Sequence, residues 1–454
     1  MKIAVIGAGV TGLSCAHRLH KKGHEVLVLE RSPQSGGVLR TCHRDGYIVE
    51  HGPNSLMIDA KDLVEFFDEL GLSEQVVEGN PDSRNRYILR DSQLVALPLS
   101  PPGLITTRAF SLLGKLRILK EFFIPQTKQP ENLSVASFFQ QRFGLEVFKY
   151  AADPFISGIY AGDPEKLSFQ YAFPRLLKLE QEHGSILRGL IKLKKTKRKD
   201  PDNLPRKLIN FKQGMASLTD AMVQKMRTEN VRTNIKLHSI ARSEKGWGLS
   251  WSEKDNQKTD TFERLVVTTP AHCLSSLPFP EPLRSTLNPL EEIPHPPIAC
   301  VALGYRRTQI KHPLDGFGML IPANEGKNLL GTIFASTLFP GRAPDGHVLL
   351  HCFIGGARNT AIGKLEPQDL LELLGPELER ILGIHGPPVF LDVKKWDRSI
   401  PQCNLGHGRF LEILEKVERS NDGLVFAGSY RTGVAVGQCI REGWNTADKI
   451  VLKS

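Results

Sequence analysis

The sequence predicts a multidomain chain of mixed α/β and α+β class, and three observations predict it. A βαβ unit stands at the N-terminus, a helix-rich stretch interrupts the first half, and a series of strands with one long helix fills most of the second. With 454 residues the chain can build two or three cores. Its 40% apolar and 24% charged residues are ordinary for a globular protein and exclude a disordered or low-complexity chain.

Lys2 to Ile6 is a short apolar run rich in branched residues, predicted as a buried strand. It breaks into Gly7-Ala8-Gly9-Val10-Thr11-Gly12, then into a helix from Leu13 to Leu19 that Gly23 ends. Glu25 to Leu29 is a second strand, closing on Glu30. A G-x-G-x-x-G turn between strand and helix, with an acid closing the next strand, is the context a Rossmann-like dinucleotide site requires. Gly7 permits the tight turn, Gly9 lets backbone approach a pyrophosphate at the helix N-terminus, and Gly12 lets helix and strand pack closely. Glu30 can accept both ribose hydroxyls and would repel a 2′-phosphate, which disfavours NADP.

Further along, Arg31 leads into Gly36-Gly37-Val38, where paired glycines again allow close approach, and Arg40 is placed to neutralise a phosphate. An alternating strand after Gly46 ends in Gly52-Pro53-Asn54-Ser55, a rigid turn able to lay amides against a flat heterocycle; an ordinary surface turn is the plainer alternative. Asp62 to Leu70 is an amphipathic helix with Leu63, Phe66, Phe67 and Leu70 on one face. Arg86–Arg90 and Gln93–Leu97 flank Asp91-Ser92 as a hairpin, and helices are expected from about Leu112 to Leu193. Within them, two Asp-Pro steps and two glycines between Asp153 and Pro164 predict backbone in unusual conformations, either facing a ligand or joining helices.

A helix (Gly214–Arg227) and strands (Ile235–Ile240, Trp247–Trp251, Arg264–Thr269) return to the nucleotide-fold pattern. From Pro270 to about Asn404, strands at Ile298–Tyr305, Gly318–Ile321, Val348–Ile354 and Val389–Trp396, with a helix at Pro367–Leu382, suggest a separate antiparallel sheet under a helical cover. Gly423–Gly428 then runs through Ser429–Gly433 into a helix expected from Val434 to Val451, a second anion-favouring helix start. Nucleotide-binding segments at both chain ends suit FAD better than NAD, because FAD is long and needs several segments to hold it.

The net charge is +10, much of it in Arg188, Lys192, Lys194, Lys195, Lys197, Arg198, Lys199, Arg206 and Lys207. Aromatic residues are not interleaved there, which argues against nucleic acid. A solvated loop is the plain reading and a patch facing anionic lipid or an acidic substrate the other; Leu187, Leu190, Ile191 and Leu193 beside the lysines support lipid. Seven scattered cysteines with no C-x-x-C argue for a reducing compartment and against a zinc site, so no metal is expected. Met1–Ala16 has the look of a signal peptide but reads as the nucleotide fold itself. The expected location is cytoplasmic, with peripheral attachment to the inner face of the cell membrane as an option.

The whole chain resembles the oxygen-dependent protoporphyrinogen oxidase family, and more closely its plant-like branch. The collinear stretches are Arg86–Asp91, Asp153-Pro154-Phe155 with Gly158 and Gly162-Asp163-Pro164, Gly331–Phe334, Phe339–Pro344, Phe353–Asn359, Ile400-Pro401-Gln402, Leu405-Gly406-His407, and the Gly433-Val434-Ala435-Val436 helix start. The resemblance implies a discontinuous Rossmann-like FAD-binding domain (1–85, 206–270 and 405–454), an antiparallel-sheet substrate domain (86–100 and 271–404), and an inserted helical, membrane-apposed domain (101–205). It implies removal of six hydrogens from protoporphyrinogen IX, with dioxygen as final acceptor and hydrogen peroxide released.

By the same resemblance, Arg86 pairs a propionate, the Gly158 carbonyl faces the pyrrole N–H groups, and Leu320, Ile333 and Phe353 wall the macrocycle. Trp396 is a flavin neighbour, the Leu237 backbone meets adenine, and Gly428 with Val434, Ala435 and Val436 holds the far end of the cofactor. The family often has a second glycine where this chain has Ala161. No triad is expected, because the cofactor carries the chemistry; His51, His272 and His407 are expected to be structural.

Rival readings are a coproporphyrinogen III oxidase of the same fold, another amine-oxidase-type flavoprotein, and a non-catalytic basic lipid- or nucleic-acid-binding protein. Ser429-Tyr430-Arg431-Thr432 holds no cysteine, so the FAD is expected to be non-covalent. The oligomeric state, monomer or homodimer, is left open by the sequence.

Overall fold

Five parallel strands form the sheet behind the glycine turn, in the order Val231–Arg232, Glu25–Leu29, Lys2–Ile6, Arg264–Val267, Leu424–Phe426. They belong to a computed structural model that describes residues 1–98, 100–197, 204–254 and 256–452; Arg198 and Lys199 of the basic segment lie outside the described residues. Both faces of the sheet are covered, which is why its strands are continuous apolar runs. Ile3, Val5, Val28 and Val266 pack toward the first and last helices. Ala4, Ile6, Leu265 and Val267 pack toward Trp247, Trp251 and Phe426.

The helix Val10–Lys21 begins earlier than the periodicity suggested, inside the glycine motif. The C-terminal helix, Val436–Leu452, begins later than expected. Gly433 has φ +130° and the Ala435 amide is taken by the Gln438 side chain, so Val434 and Ala435 still belong to the turn. First and last helices cross so tightly that a Cβ on Gly443 would lie 2.5 Å from the Thr11 carbonyl oxygen.

Three antiparallel strands, Ile235–Ser243, Gly246–Glu253 and Asn256–Phe262, form a meander. The third has the sequence Asn-Gln-Lys-Thr-Asp-Thr-Phe. Its side chains are almost all solvated, so it carries no apolar alternation to betray it.

Seven strands form the largest sheet, in the order Phe390–Trp396, Ile298–Arg306, His347–Gly355, Leu329–Phe334, Gly316–Leu320, Asn85–Arg90, Gln93–Ala96. The expected purely antiparallel sheet is corrected here: Gly316–Leu320 pairs in parallel with Asn85–Arg90, because the hairpin joins from an early part of the chain. One face packs on the helix Pro367–Leu382 through Leu370, Leu374, Leu378 and Leu382, one residue per turn. The opposite face is only half covered, and the candidate site lies on it.

Helices from Pro101 to Lys197 enclose a smaller aromatic core around Phe138 and Phe169, stacked with ring centroids 3.5 Å apart. A buried Arg142 there bridges Glu121 (2.7 Å) and Glu180. Glu121 also accepts the amides of Ile186 (2.9 Å) and Leu187 (3.2 Å), closing the start of the basic helix Ile186–Lys197.

Candidate active site

The glycine turn behaves as three different positions. Gly7 has φ +105°, and a Cβ there would lie 2.8 Å from Thr268 Oγ1, whose hydroxyl donates to the Ile6 and Gly7 carbonyls at 3.0 Å. A Cβ on Gly12 would lie 2.0 Å from the Gly7 carbonyl oxygen. A Cβ on Gly9 would meet no atom of the described residues within 4 Å. Gly9 is also the N-cap of the helix Val10–Lys21 and offers no side-chain cap, so the first-turn amides of that helix are left for a ligand. An uncapped helix start facing open space fits a pyrophosphate.

Glu30 has a structural task that the sequence did not show. Its two oxygens accept the amides of Ala8 (2.8 Å) and Ser32 (2.7 Å), so the carboxylate fixes the turn itself and keeps lone pairs for hydroxyls. The Gly36 amide donates to the Ala8 carbonyl at 2.7 Å, laying Gly36-Gly37 beside Gly9. Arg31 and Val38 are exposed. Arg40 is drawn into its own turn: its guanidinium donates to the Gly37 carbonyl (3.0 Å) and to Gln34 (2.7 and 2.9 Å). At Leu237 the strand bulges, since Leu237 pairs with Trp251 but Ser239 with Ser250. The bulge frees backbone groups two residues from the Ile235 amide, which donates to the Glu30 carbonyl.

The turn Gly52-Pro53-Asn54-Ser55 is half-buried and pinned from three sides. A Cβ on Gly52 would lie 2.0 Å from the Val38 carbonyl oxygen. The Asn210 amide donates to the Asn54 carbonyl at 2.9 Å, and Trp396 Nε1 donates to the His51 carbonyl at 2.7 Å. Next to it, Glu50 accepts from Thr41 Oγ1, Asn210 Nδ2 and the Met215 amide; burial pushes its pKa up. At the other chain end, Gly428 has φ +149°, and Val434–Ala435 lead into the last helix, whose Cys439 lies beside Thr11.

His51, expected only to be structural, has charged partners. Its Nε2 lies 2.6 Å from Asp392 Oδ2, and the ligand atoms of Cys42, His51 and Asp392 lie within 4.8 Å of one another. Arg44 supplies the cation there, 3.1 Å from the other Asp392 oxygen. The hydrogen bond from His51 holds the Asp392 pKa below the usual range. No spacing rule finds such a group across the 340 or so residues that separate its members. His407 Nε2 pairs with the Tyr430 carbonyl at 2.8 Å, and His272 packs edge-on against His295 at 4.6 Å, both structural arrangements.

The remaining predicted residues meet on the half-covered face of the large sheet. Leu320, Gly331 and Phe353 stand side by side on three neighbouring strands. Gly331 has no side chain, so the row dips between Leu320 and Phe353 into a shallow trough, partly filled by Leu320 Cδ2, which would lie 3.0 Å from a Cβ on Gly331. Arg86, Gly318 and Ile333 make the next row. Leu320, Ile333 and Phe353 are all partly exposed, unlike the opposite face.

Above the trough lies the segment around Gly158. The irregular backbone expected between Asp153 and Pro164 is instead a helix, Asp153–Tyr160, entered through a π-turn at Phe148–Ala152. Proline is tolerated at the helix start, so the Asp153-Pro154 step did not break it, and Asp163-Pro164 lies beyond its end. The strain is confined to Ala161, whose φ of +52° is where a glycine would be unstrained. A Cβ on Gly158 would lie 2.4 Å from Leu320 Cδ2. Both the Ala161 and Gly162 amides turn back to the Ile156 carbonyl, which leaves the Gly158 carbonyl without a backbone partner among the described residues. Arg358 clamps the helix start through Asp153, which also accepts the Ala323 amide at 3.0 Å.

Residues 10–451 match the model for flavin containing amine oxidoreductases. The chain belongs to that family. It is a flavin-dependent oxidoreductase. It is 33% identical to the mitochondrial protoporphyrinogen oxidase of Nicotiana tabacum, over 99% of this chain and 94% of that protein. It is 30% identical to the coproporphyrinogen III oxidase of Bacillus subtilis (strain 168), over 97% and 96%. A crystal structure from Exiguobacterium sp. 255-15 superposes with a TM-score of 0.82 at 21% identity, covering 100% of this chain and 99% of that one. Putrescine oxidase superposes with a TM-score of 0.69 at 17% identity, covering 99% of each chain, so the fold is the amine-oxidase flavoprotein fold.

Proposed function

We propose that the protein oxidises protoporphyrinogen IX to protoporphyrin IX with dioxygen, releasing hydrogen peroxide, in haem biosynthesis. The observation that carries this reading is the trough bordered by Leu320, Ile333 and Phe353, with a cation at its rim. Arg86 has no carboxylate partner among the described residues; its guanidinium lies 4.4 Å from the Phe317 ring centroid and 3.3 Å from the Ser83 carbonyl. Arg86 is exposed at the rim, and the part of it that is covered pulls its pKa below the ordinary arginine value, so a carboxylate arriving there meets a cation with donors to spare. A greasy macrocycle with carboxylates on its edge matches that pattern. The protoporphyrinogen and coproporphyrinogen oxidases among the relatives support the same choice.

In this reading each residue has a limited task. Arg86 anchors a propionate. Leu320, Ile333 and Phe353 grip the ring and exclude water. The unpartnered Gly158 carbonyl accepts a pyrrole N–H, orienting the bridge carbon whose hydrogen leaves. Bound FAD supplies the hydride acceptor. The same reading assigns 1–85, 206–270 and 405–454 to cofactor binding, 86–100 and 271–404 to substrate binding, and 101–205 to a membrane-apposed unit.

Membrane apposition is supported by exposed apolar side chains on and near the helix Leu112–Lys120: Leu112, Leu113 (78% exposed), Leu116, Leu119 and Phe123 (82% exposed). The basic helix Ile186–Lys197 is tied to the end of this segment, with Arg188 donating to the Phe122 carbonyl at 2.7 Å. Apolar and cationic side chains on one surface suit an anionic interface. Among the described residues no helix is long and apolar enough to cross a membrane.

The test is Arg86→Ala: the Michaelis constant for protoporphyrinogen should rise about tenfold or more with FAD still bound, the loss of one charge-assisted hydrogen bond. An unchanged Michaelis constant and turnover would remove Arg86 from the site. A second reading, oxidation of coproporphyrinogen III, is favoured by another cation on the same face, Lys394.

A further inference from the structure

The trough has a second charged end. The row that holds Leu320, Gly331 and Phe353 continues across the sheet to Cys300 and then Lys394. Large and small side chains alternate along it, and it finishes on an ammonium group. Lys394 has no carboxylate within ion-pair distance among the described residues; its Nζ lies 4.7 Å from the Trp396 ring centroid. Asp392, two residues earlier on the same face, does not neutralise it, because that carboxylate is held by His51 and Arg44. The next residue, Lys395, points to the other face and pairs with Glu366 at 2.6 Å. An unpaired lysine on a half-buried apolar face is costly unless something anionic meets it.

Arg86 and Lys394 stand on strands five steps apart in the sheet order. At the usual spacing that is about 24 Å between backbones, shortened from both ends by two long side chains. One edge of a macrocycle cannot meet both cations. A ring with carboxylate arms on opposite edges can. Protoporphyrinogen carries its two propionates as neighbours on one edge, whereas coproporphyrinogen carries four around the rim.

We infer that Lys394 is a second carboxylate-binding residue, placed across the trough from Arg86, that lets the same site also take porphyrinogens with propionates on opposite edges. The inference rests on the porphyrinogen reading of the site and adds the specificity within it.

The experiment is a comparison of Lys394→Met and Lys394→Arg with the parent holoenzyme. Methionine keeps most of the stem and removes the charge; arginine keeps the charge. The ratio of kcat/KM for coproporphyrinogen to that for protoporphyrinogen should fall about tenfold or more in the methionine variant and return in the arginine variant. Equilibrium binding of coproporphyrin, read by quenching of its fluorescence, should weaken in parallel, with flavin content and flavin spectrum unchanged. An unaltered ratio would overturn the assignment. So would a shifted flavin spectrum or lost FAD, which would make Lys394 a cofactor neighbour. A parent enzyme that oxidises neither porphyrinogen yet binds coproporphyrin through Lys394 would sink the proposed reaction while leaving the anion site standing.

Discussion

Replacing Gly9 separates cofactor binding from folding, because the three motif glycines differ in what surrounds them. Gly9 has φ −76° and ψ 178°, a conformation any residue adopts, and a Cβ there meets no atom of the described residues within 4 Å. Gly9→Ala should therefore leave the stability of the cofactor-free protein within about 0.5 kcal/mol of the parent, the restricted unfolded chain offsetting a poorer N-cap. Gly12→Ala should destabilise it: its Cβ would lie 2.0 Å from the Gly7 carbonyl oxygen and 2.5 Å from Thr268 Oγ1, an overpacking cost of about 1–3 kcal/mol or more. For Gly9→Val the added atoms occupy the space assigned to the pyrophosphate. The parent protein should gain about 2.7 kcal/mol from FAD at a hundred times its Kd, and Gly9→Val should gain almost none. The assays are flavin absorbance relative to protein absorbance after purification, and thermal unfolding with and without added FAD. A yellow Gly9→Val protein with the parent flavin ratio would refute the reasoning. So would a colourless one whose cofactor-free form unfolds well below the cofactor-free parent.

Other consequences follow from buried charge and exposed apolar surface. Burial pulls the His351 pKa down to about 3, so below pH 6.5 the unfolded chain binds a proton that the folded chain refuses. Stability should fall by up to about 1.4 kcal/mol per pH unit between pH 6.5 and 3 from this group, and His351→Phe should flatten that slope in a series of unfolding midpoints. Arg142→Met strands the carboxylates of Glu121 and Glu180 in the helical core and should cost about 3–5 kcal/mol, seen as earlier unfolding and proteolysis between residues 101 and 197. Arg358→Ala should loosen the helix that carries Gly158 and lower kcat more than it raises KM, with partial recovery in Arg358→Lys. Leu113→Ser with Phe123→Ser should reduce cosedimentation with anionic phospholipid vesicles and leave flavin content unchanged.

Much of the nucleotide-binding half was legible because its signals are local. Strand, glycine turn, helix and Glu30 follow one another within thirty residues, and the tight turn at Gly7 and the close packing at Gly12 are as the motif requires. The long helix Pro367–Leu382 was legible for the same reason, through leucines one turn apart. What was missed is non-local or solvated. The strand Asn256–Phe262 has no apolar face to show. The Cys42, His51 and Asp392 group, and the row from Leu320 to Lys394, exist only once distant strands are paired. Asp-Pro and glycine signals misled at Asp153–Tyr160, where packing of Gly158 on Leu320 favours a helix over an open loop. The wall residues Leu320, Ile333 and Phe353 and the rim residue Arg86 came from resemblance rather than pattern, and pairing puts them on one face.

The most direct test of the proposed chemistry is an anaerobic titration of the purified yellow protein with protoporphyrinogen, followed by admission of air. The account predicts bleaching of the flavin band at fewer than one substrate per flavin, then recovery of the band in air with peroxide and porphyrin fluorescence appearing together. A flavin band that stays unbleached under excess porphyrinogen, in a protein that remains folded and fully loaded with FAD, would contradict it.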